Sequence, residues 1–87
     1  MQIFYSGQVQ GIGFRYTAKT VATGFEVTGL VRNLPDGRVE LVAKGERGEL
    51  QAFHDAIRGA GLAGFICDEC VLWGEAINEF HGFEIAR

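Results

Sequence analysis

The segment from Gly7 to Arg15, with the sequence Gly-Gln-Val-Gln-Gly-Ile-Gly-Phe-Arg, constrains the fold more than any other part of the chain. Three glycines interrupt an alternating apolar run, and helical spacing begins where the arginine closes the segment. Glycine adopts positive φ and lets a ligand approach the backbone closely. A tight turn that enters a helix directs its N–H groups at one point, and Arg15 adds a forked, permanently charged donor suited to phosphate. The segment therefore predicts a phosphate-binding turn between a strand and a helix.

The hydrophobic pattern around this turn predicts alternating strands and helices. Residues 2–9 alternate as a strand, and a helix follows the turn with one apolar stripe at Phe14, Ala18, Val21, Ala22 and Phe25. Residues 27–32 alternate again, and the turn signal Asn-Leu-Pro-Asp-Gly at 33–37 joins them to a strand from Val39 onward. This pair predicts a β-hairpin.

The second half of the chain repeats the pattern with a helix and a strand. The helix has its apolar stripe at Leu50, Phe53, Ile57 and Ala60, and a flexible return through Gly59, Gly61 and Gly64 follows. The pattern predicts the next strand over residues 65–73 and a short last strand over residues 82–85. The order β-α-β-β-α-β predicts an α+β fold of the ferredoxin-like sandwich type, in which an antiparallel sheet carries two helices on one face and gains a short extra C-terminal strand.

Length and composition limit the classes of protein. The chain has 87 residues, which suits one domain spanning 1–87, and 47% of them are hydrophobic, so a core can form. A net charge of −3 argues against a protein that mainly grips nucleic acid. No secretory signal and no bilayer-length apolar stretch is visible. We expect a soluble, cytoplasmic, monomeric domain with no nucleic-acid or membrane partner.

Asn33 is the second candidate site residue. It ends the second strand on the face of Val31, which the first helix must cover, so Arg15 can lie beside it. An arginine and an asparagine that converge on a glycine loop can hold a phosphoryl group and position a water. From the residues alone, a structural glycine turn with a solvated Arg15 and a turn-initiating Asn33 stay open as the alternative.

Two motifs taken together resemble the acylphosphatase family. They are Gly7-x-Val9-Gln10-Gly11-Ile12-Gly13-Phe14-Arg15 and Gly29-Leu30-Val31-Arg32-Asn33-x-x-Asp36-Gly37-x-Val39-Glu40. The resemblance extends to the Gly-Phe-Glu-Ile ending at 82–85 and implies a small cytosolic enzyme that hydrolyses the carboxyl–phosphate bond of acyl phosphates. It also implies that Arg15 and the loop amides bind phosphate while Asn33 orients the attacking water. The loop residues are Gln10, Gly11, Ile12, Gly13 and Phe14.

The implied reaction needs neither a proton-transfer residue nor a cofactor. Its leaving group is a carboxylate whose conjugate acid has a pKa of about 4 to 5, so acid catalysis adds little. Positioning of water and neutralisation of phosphoryl charge remain, and the loop and Arg15 supply both without metal. No acidic cluster that would hold Mg²⁺ accompanies the loop in the sequence.

Some residues depart from the family pattern. Leu30 stands where a large aromatic is common, Glu26 stands where a helix-ending glycine is common, and the return at 59–61 lacks a proline. Cys67 and Cys70 form a CxxC pair, but positions i and i+3 of a strand point to opposite faces. We interpret both thiols as buried structural residues, His54 as a solvated helix residue and Trp73 as core or rim.

Three alternatives compete with this hypothesis. A non-catalytic ferredoxin-like binding module, for RNA or another anionic ligand, has the same element order, but the strand from Val39 lacks the aromatics that stack bases. A metal-carrier domain would have its CxxC between the first strand and the first helix. Acylphosphatase-like domains also begin larger hydrogenase-maturation proteins, which continue into zinc-finger segments that this sequence lacks, so a stand-alone enzyme is expected.

Overall fold

The computed structural model describes residues 1–74 and 79–86. Its elements follow the predicted order. They are β1 (Gln2–Gly7), α1 (Phe14–Ala22), β2 (Thr28–Asn33), β3 (Val39–Lys44), α2 (Arg47–Ile57), β4 (Ile66–Leu72) and β5 (Phe83–Ile85). Short helical turns at Arg58–Leu62 and Ala63–Phe65 join α2 to β4.

The strands form one sheet in the order β4-β1-β3-β2-β5. The first four are antiparallel to their neighbours, as the ferredoxin-like order requires. The short terminal strand runs parallel to β2, where the Gly29 N–H donates to the Gly82 carbonyl at 2.9 Å. The predicted ferredoxin-like α+β fold is confirmed, and the fifth strand makes the complete sheet mixed.

One face of the sheet carries the core. Ile3 and Val31 both pair with Leu41, and all three side chains are fully buried. Cross-strand partners project to the same face, so alternate residues of each strand build one apolar surface. The helices cover it with residues at helical spacing, namely Phe14, Ala18 and Ala22 from α1 and Leu50, Phe53 and Ile57 from α2. Phe53 also contacts the last strand, with its ring 5.4 Å from that of Phe83.

The connection from α2 to β4 corrects one prediction. The helical spacing predicts Ala60 in the apolar stripe of α2, but Ala60 is exposed and lies beyond the end of the helix. Its dihedral angles, φ −89° and ψ 22°, are not helical, and Gly61 then takes φ 85°. The return is therefore a pair of short helical turns, and Ala60 does not continue the apolar stripe of α2.

The two cysteines also differ from the prediction, because both are free and exposed. Their strand, β4, is an edge strand. Its pairing with β1 shifts register between Ser6, which faces Asp68, and Gly7, which faces Ile66. Cys67 lies at this shift, so the strict alternation that underlay the prediction of opposite faces does not hold there.

Candidate active site

The predicted glycine loop leads directly into α1. Gly13 is the residue before the helix and has left-handed dihedral angles, φ 80° and ψ 18°, while Gly11 has φ 81°. A Cβ atom at either position would have no neighbour within 4 Å, so both glycines border open space. Other residue types rarely adopt this backbone, which explains the glycines by conformation.

The start of α1 carries no internal cap. No side chain caps the helix, and its first turn contains no acidic residue. Among the described residues, the N–H groups of Gly11, Gly13 and Phe14 find no hydrogen-bond acceptor. A helix N-terminus has partial positive charge and orphan donors. This end of α1 is therefore suited to an anion.

Asn33 lies at the same end of the helix-covered face. It pairs with Val39 across β2 and β3, and Val39 pairs in turn with Tyr5 of β1. Val39 and Tyr5 are fully buried on that face, and Asn33 is half-buried at the end of the row. The Tyr5 ring packs on Phe14, the first residue of α1, with ring centroids 4.7 Å apart. One cross-sheet row thus connects Asn33 with the beginning of the helix.

The side chain of Gln10 links the loop to the turn that follows Asn33. Its Nε2 donates hydrogen bonds to the carbonyl oxygens of Leu34, at 2.8 Å, and Arg38, at 2.9 Å. From the sequence, Gln10 is expected to contribute only its backbone N–H. Because these partners lie 24 and 28 positions away along the chain, no local sequence pattern predicts the contacts.

The turn after Asn33 is closed by several short contacts. The Leu34 N–H donates to the Arg38 carbonyl oxygen at 2.8 Å, and the Gly37 N–H donates to the Leu34 carbonyl oxygen at 3.1 Å. The Asp36 carboxylate accepts the Arg38 backbone N–H at 3.1 Å and the Arg38 Nε at 2.8 Å. These bonds, the backbone one first, lower the pKa of Asp36 below its ordinary value. Asp36 therefore stays ionised and holds the turn together.

Arg15 occupies the first turn of α1, directly after Phe14. Its side chain is half-buried, and within residues 1–74 and 79–86 it makes no hydrogen bond or ion pair. A guanidinium at this position adds a full positive charge to the partial charge of the helix end. The loop and Arg15 therefore lie together at the start of α1, and the cross-sheet row of Tyr5 and Val39 leads from there to Asn33.

Two of the three departures from the family pattern, Leu30 and Glu26, lie away from this arrangement. Leu30 pairs with Val42 and alternates with the buried Val31, so it occupies the opposite face of the sheet. Glu26 is exposed, and α1 ends earlier, at Ala22, with Gly24 in the turn that follows. The chain leaves the helix without a glycine at position 26.

A polar cluster that the sequence does not predict lies beneath β4. His54 was predicted to be solvated, but its side chain is only 12% exposed and its Nε2 lies 3.5 Å from the Glu69 Oε1. Glu69 pairs with Tyr5 across the two strands, which puts Glu69 on the helix-covered face, and Arg58 forms an ion pair with Glu69.

Trp73 lies at the rim, 37% exposed, under the Arg47 guanidinium. No three His, Cys, Asp or Glu side chains of the described residues converge as metal ligands.

Comparison with known proteins assigns the chain to a family. The acylphosphatase family model matches residues 1–85. The chain belongs to the acylphosphatase family. An acylphosphatase from Acaryochloris marina is 41% identical over 86 residues, covering 94% of this chain and 87% of that protein. The crystal structure of an acylphosphatase from Bacillus subtilis superposes with a TM-score of 0.88 at 34% identity, covering 99% of this chain and 96% of that chain.

These similarities support acyl phosphate hydrolysis by this acylphosphatase and favour it over a non-catalytic binding module. The prediction of a small-molecule acyl phosphate as substrate is supported with it. T. kodakarensis HypF matches with a TM-score of 0.83, but at 23% identity over 12% of that chain this likeness shows the fold alone. None of the helices in the described ranges has the length and apolar character needed to cross a membrane.

Proposed function

We propose that this acylphosphatase binds the phosphoryl group of its substrate at the start of α1. The backbone N–H groups of residues 10–14 and the Arg15 guanidinium donate to the phosphoryl oxygens, and the Asn33 side chain orients the attacking water. One observation carries the proposal. The uncapped helix start and Asn33 share one end of the helix-covered face, joined through Phe14, Tyr5 and Val39.

The reaction is an in-line displacement at phosphorus. The water oxygen forms a bond to phosphorus while the bond from phosphorus to the acyl oxygen breaks, and the electron pair leaves on the carboxylate. The proton of the water passes to a phosphoryl oxygen or to solvent. Charge on the phosphoryl oxygens is balanced throughout by Arg15 and the helix end, which is the main catalytic requirement of phosphoryl transfer.

Asn33 suits the positioning role because its amide both donates and accepts hydrogen bonds. It does not act as a base. The leaving carboxylate needs no proton from an acid, and in a loose phosphoryl-transfer transition state the water forms little bond to phosphorus, so it need not lose its proton to a base beforehand. Its contribution is geometric, as it fixes the water in line with the bond that breaks. We propose that the reaction proceeds without metal, on the chemistry of this leaving group.

We further propose that residues 1–87 work as one domain and as a cytoplasmic monomer without a nucleic-acid partner. The net charge of −3 supports the last point, and two exposed free thiols suit a reducing compartment. Sedimentation at several protein concentrations tests the monomer, and a second species that grows with concentration would contradict it.

Hydrolysis of acetyl phosphate in the presence of a chelator tests the proposed function. We expect phosphate release by the native chain at a rate that the chelator does not change. Absence of release, or release that depends on an added divalent cation, would contradict it.

A further inference from the structure

We infer that the side chain of Gln10 is a positioning residue, which holds the turn after Asn33 against the phosphate-binding loop. The inference rests on the proposed function of that site. It assigns to Gln10 a role separate from any contact between its backbone N–H and phosphate.

A single nitrogen atom of Gln10 makes both contacts with the turn. Nε2 of Gln10 donates to the carbonyl oxygens of Leu34 and Arg38, the two residues whose own hydrogen bond closes the turn. A primary amide carries two N–H donors on one nitrogen, so it can bond both carbonyls at once. The side chain thus spans the base of the turn from outside.

The neighbours of Gln10 show why such a bond is useful. Val9 before it is fully buried in the core, whereas Gly11 after it has no Cβ and borders open space. On the other side, the Leu34 carbonyl belongs to the residue directly after Asn33. The amide therefore joins the last anchored point before the flexible glycines to the peptide next to Asn33.

The two halves of the site are also connected through the core row of Tyr5 and Val39. A second connection at the surface restrains rotation of the hairpin end about that row. Loss of the amide is expected to leave the phosphate site formed, because the glycine conformations and the helix end remain. It is expected to displace Asn33, and a displacement of about 1 Å can reduce the rate by about a hundredfold.

The test is the variant Gln10→Leu, which keeps the bulk of the side chain and removes both donors. We expect kcat for acetyl phosphate to fall about tenfold or more, with the inhibition constant for inorganic phosphate changed less than about threefold. Gln8→Leu is the matched control. The Gln8 side chain is exposed and bonds no described residue, while its backbone N–H donates to Phe65 at 3.0 Å and is kept.

A double-mutant cycle with Asn33→Ala distinguishes positioning from general destabilisation. If Gln10 acts through Asn33, Gln10→Leu should lower kcat by less than about threefold when Asn33 is already alanine. Gln10→Asn keeps the amide on a shorter side chain and should behave as Gln10→Leu does. It serves in the cycle if the leucine variant does not fold.

Three results would overturn the inference. They are an unchanged kcat, a phosphate inhibition constant that rises in step with the loss of kcat, and an equal loss in the Asn33→Ala background. None of these contradicts the proposed function as long as the native chain hydrolyses acetyl phosphate. Failure of native hydrolysis would instead remove the function itself.

Discussion

The ring of Tyr5 in β1 packs on the ring of Phe14 with centroids 4.7 Å apart and planes tilted by 56°. Phe14 is the residue before Arg15, and Tyr5 stands in the same cross-sheet row as Val39 and Asn33. The contact fixes the first turn of α1 to the sheet at the end where Asn33 lies. The placement of the whole site therefore depends on core packing and on the loop together.

The buried hydroxyl of Tyr5 gives a testable pH dependence of stability. This hydroxyl makes no hydrogen bond to a described residue. Burial, and then the negative charge of Glu69, raises the pKa of Tyr5 above its ordinary value. A group with a raised pKa in the folded state contributes stability that is complete below its unfolded pKa, about 10, and is lost as pH rises further.

Tyr5→Phe is expected to keep the ring contact with Phe14 and remove this alkaline loss. The free energy of unfolding at pH 7 should rise by about 1 kcal/mol, because a buried unpaired hydroxyl is removed. Denaturant unfolding between pH 7 and 11 measures both effects, with Tyr16→Phe as the control, since Tyr16 is 70% exposed. A marked loss of stability in Tyr5→Phe at pH 7 would show instead that the hydroxyl makes a stabilising bond.

Gly29 tests the close contact between β2 and β3. A Cβ atom at this position would lie 1.9 Å from the Val42 carbonyl oxygen and 2.9 Å from the Ala43 Cα. These are backbone atoms of the neighbouring strand and cannot move aside as a flexible side chain would. Gly29→Ala is expected to lower the free energy of unfolding by about 3 kcal/mol, as overpacking does.

Gly59→Ala is the matched control for Gly29→Ala. Gly59 lies in a helical turn, its dihedral angles are helical, and an added Cβ would have no neighbour within 4 Å. Alanine there should be neutral or stabilising by up to about 1 kcal/mol. Equal effects of the two substitutions in denaturant unfolding would contradict the packing argument.

Asp36 gives the turn after Asn33 a pH dependence. Its folded pKa is lowered by the Arg38 backbone N–H and then by the Arg38 side chain. A carboxylate with a lowered pKa contributes stability that is complete above its unfolded pKa, about 4, and is lost as pH falls through the folded value. Asp36→Asn should therefore unfold at a lower temperature than the native chain at pH 7, and the two should converge as pH falls below the ordinary pKa of an aspartate, about 4, and Asp36 becomes protonated. A constant difference across this range would contradict the assignment.

The local parts of the fold and site were predictable from the sequence. Gly11 and Gly13 predicted a tight turn with positive φ. The apolar stripe from Phe14 predicted α1, and the turn residues after Asn33 predicted the hairpin. Each of these signals lies within a few residues of the feature that it predicts. The alternation of strand residues predicted Asn33 on the same face as Val31. The pairing of Asn33 with the buried Val39 agrees with that prediction.

The features that were missed depend on contacts distant in the sequence. The bonds of Gln10 to the turn require the assembled sheet, and the partners of Glu69 follow from its register opposite Tyr5. The register shift at Cys67 cannot be read from alternation, because a single extra residue breaks the period on which that reasoning rests. Exposure of both cysteines follows from the edge position of β4, which is a property of the complete sheet.

In the proposed site, the loop and Arg15 bind phosphate while Asn33 orients the water, and one paired measurement tests this division of roles. Both kcat for acetyl phosphate and the inhibition constant for inorganic phosphate are to be determined for the native chain, Asn33→Ala and Arg15→Ala. We predict that Asn33→Ala loses kcat by about a hundredfold or more with phosphate affinity kept, and that Arg15→Ala loses both. Native kcat in Asn33→Ala, or native phosphate affinity in Arg15→Ala, would contradict the account.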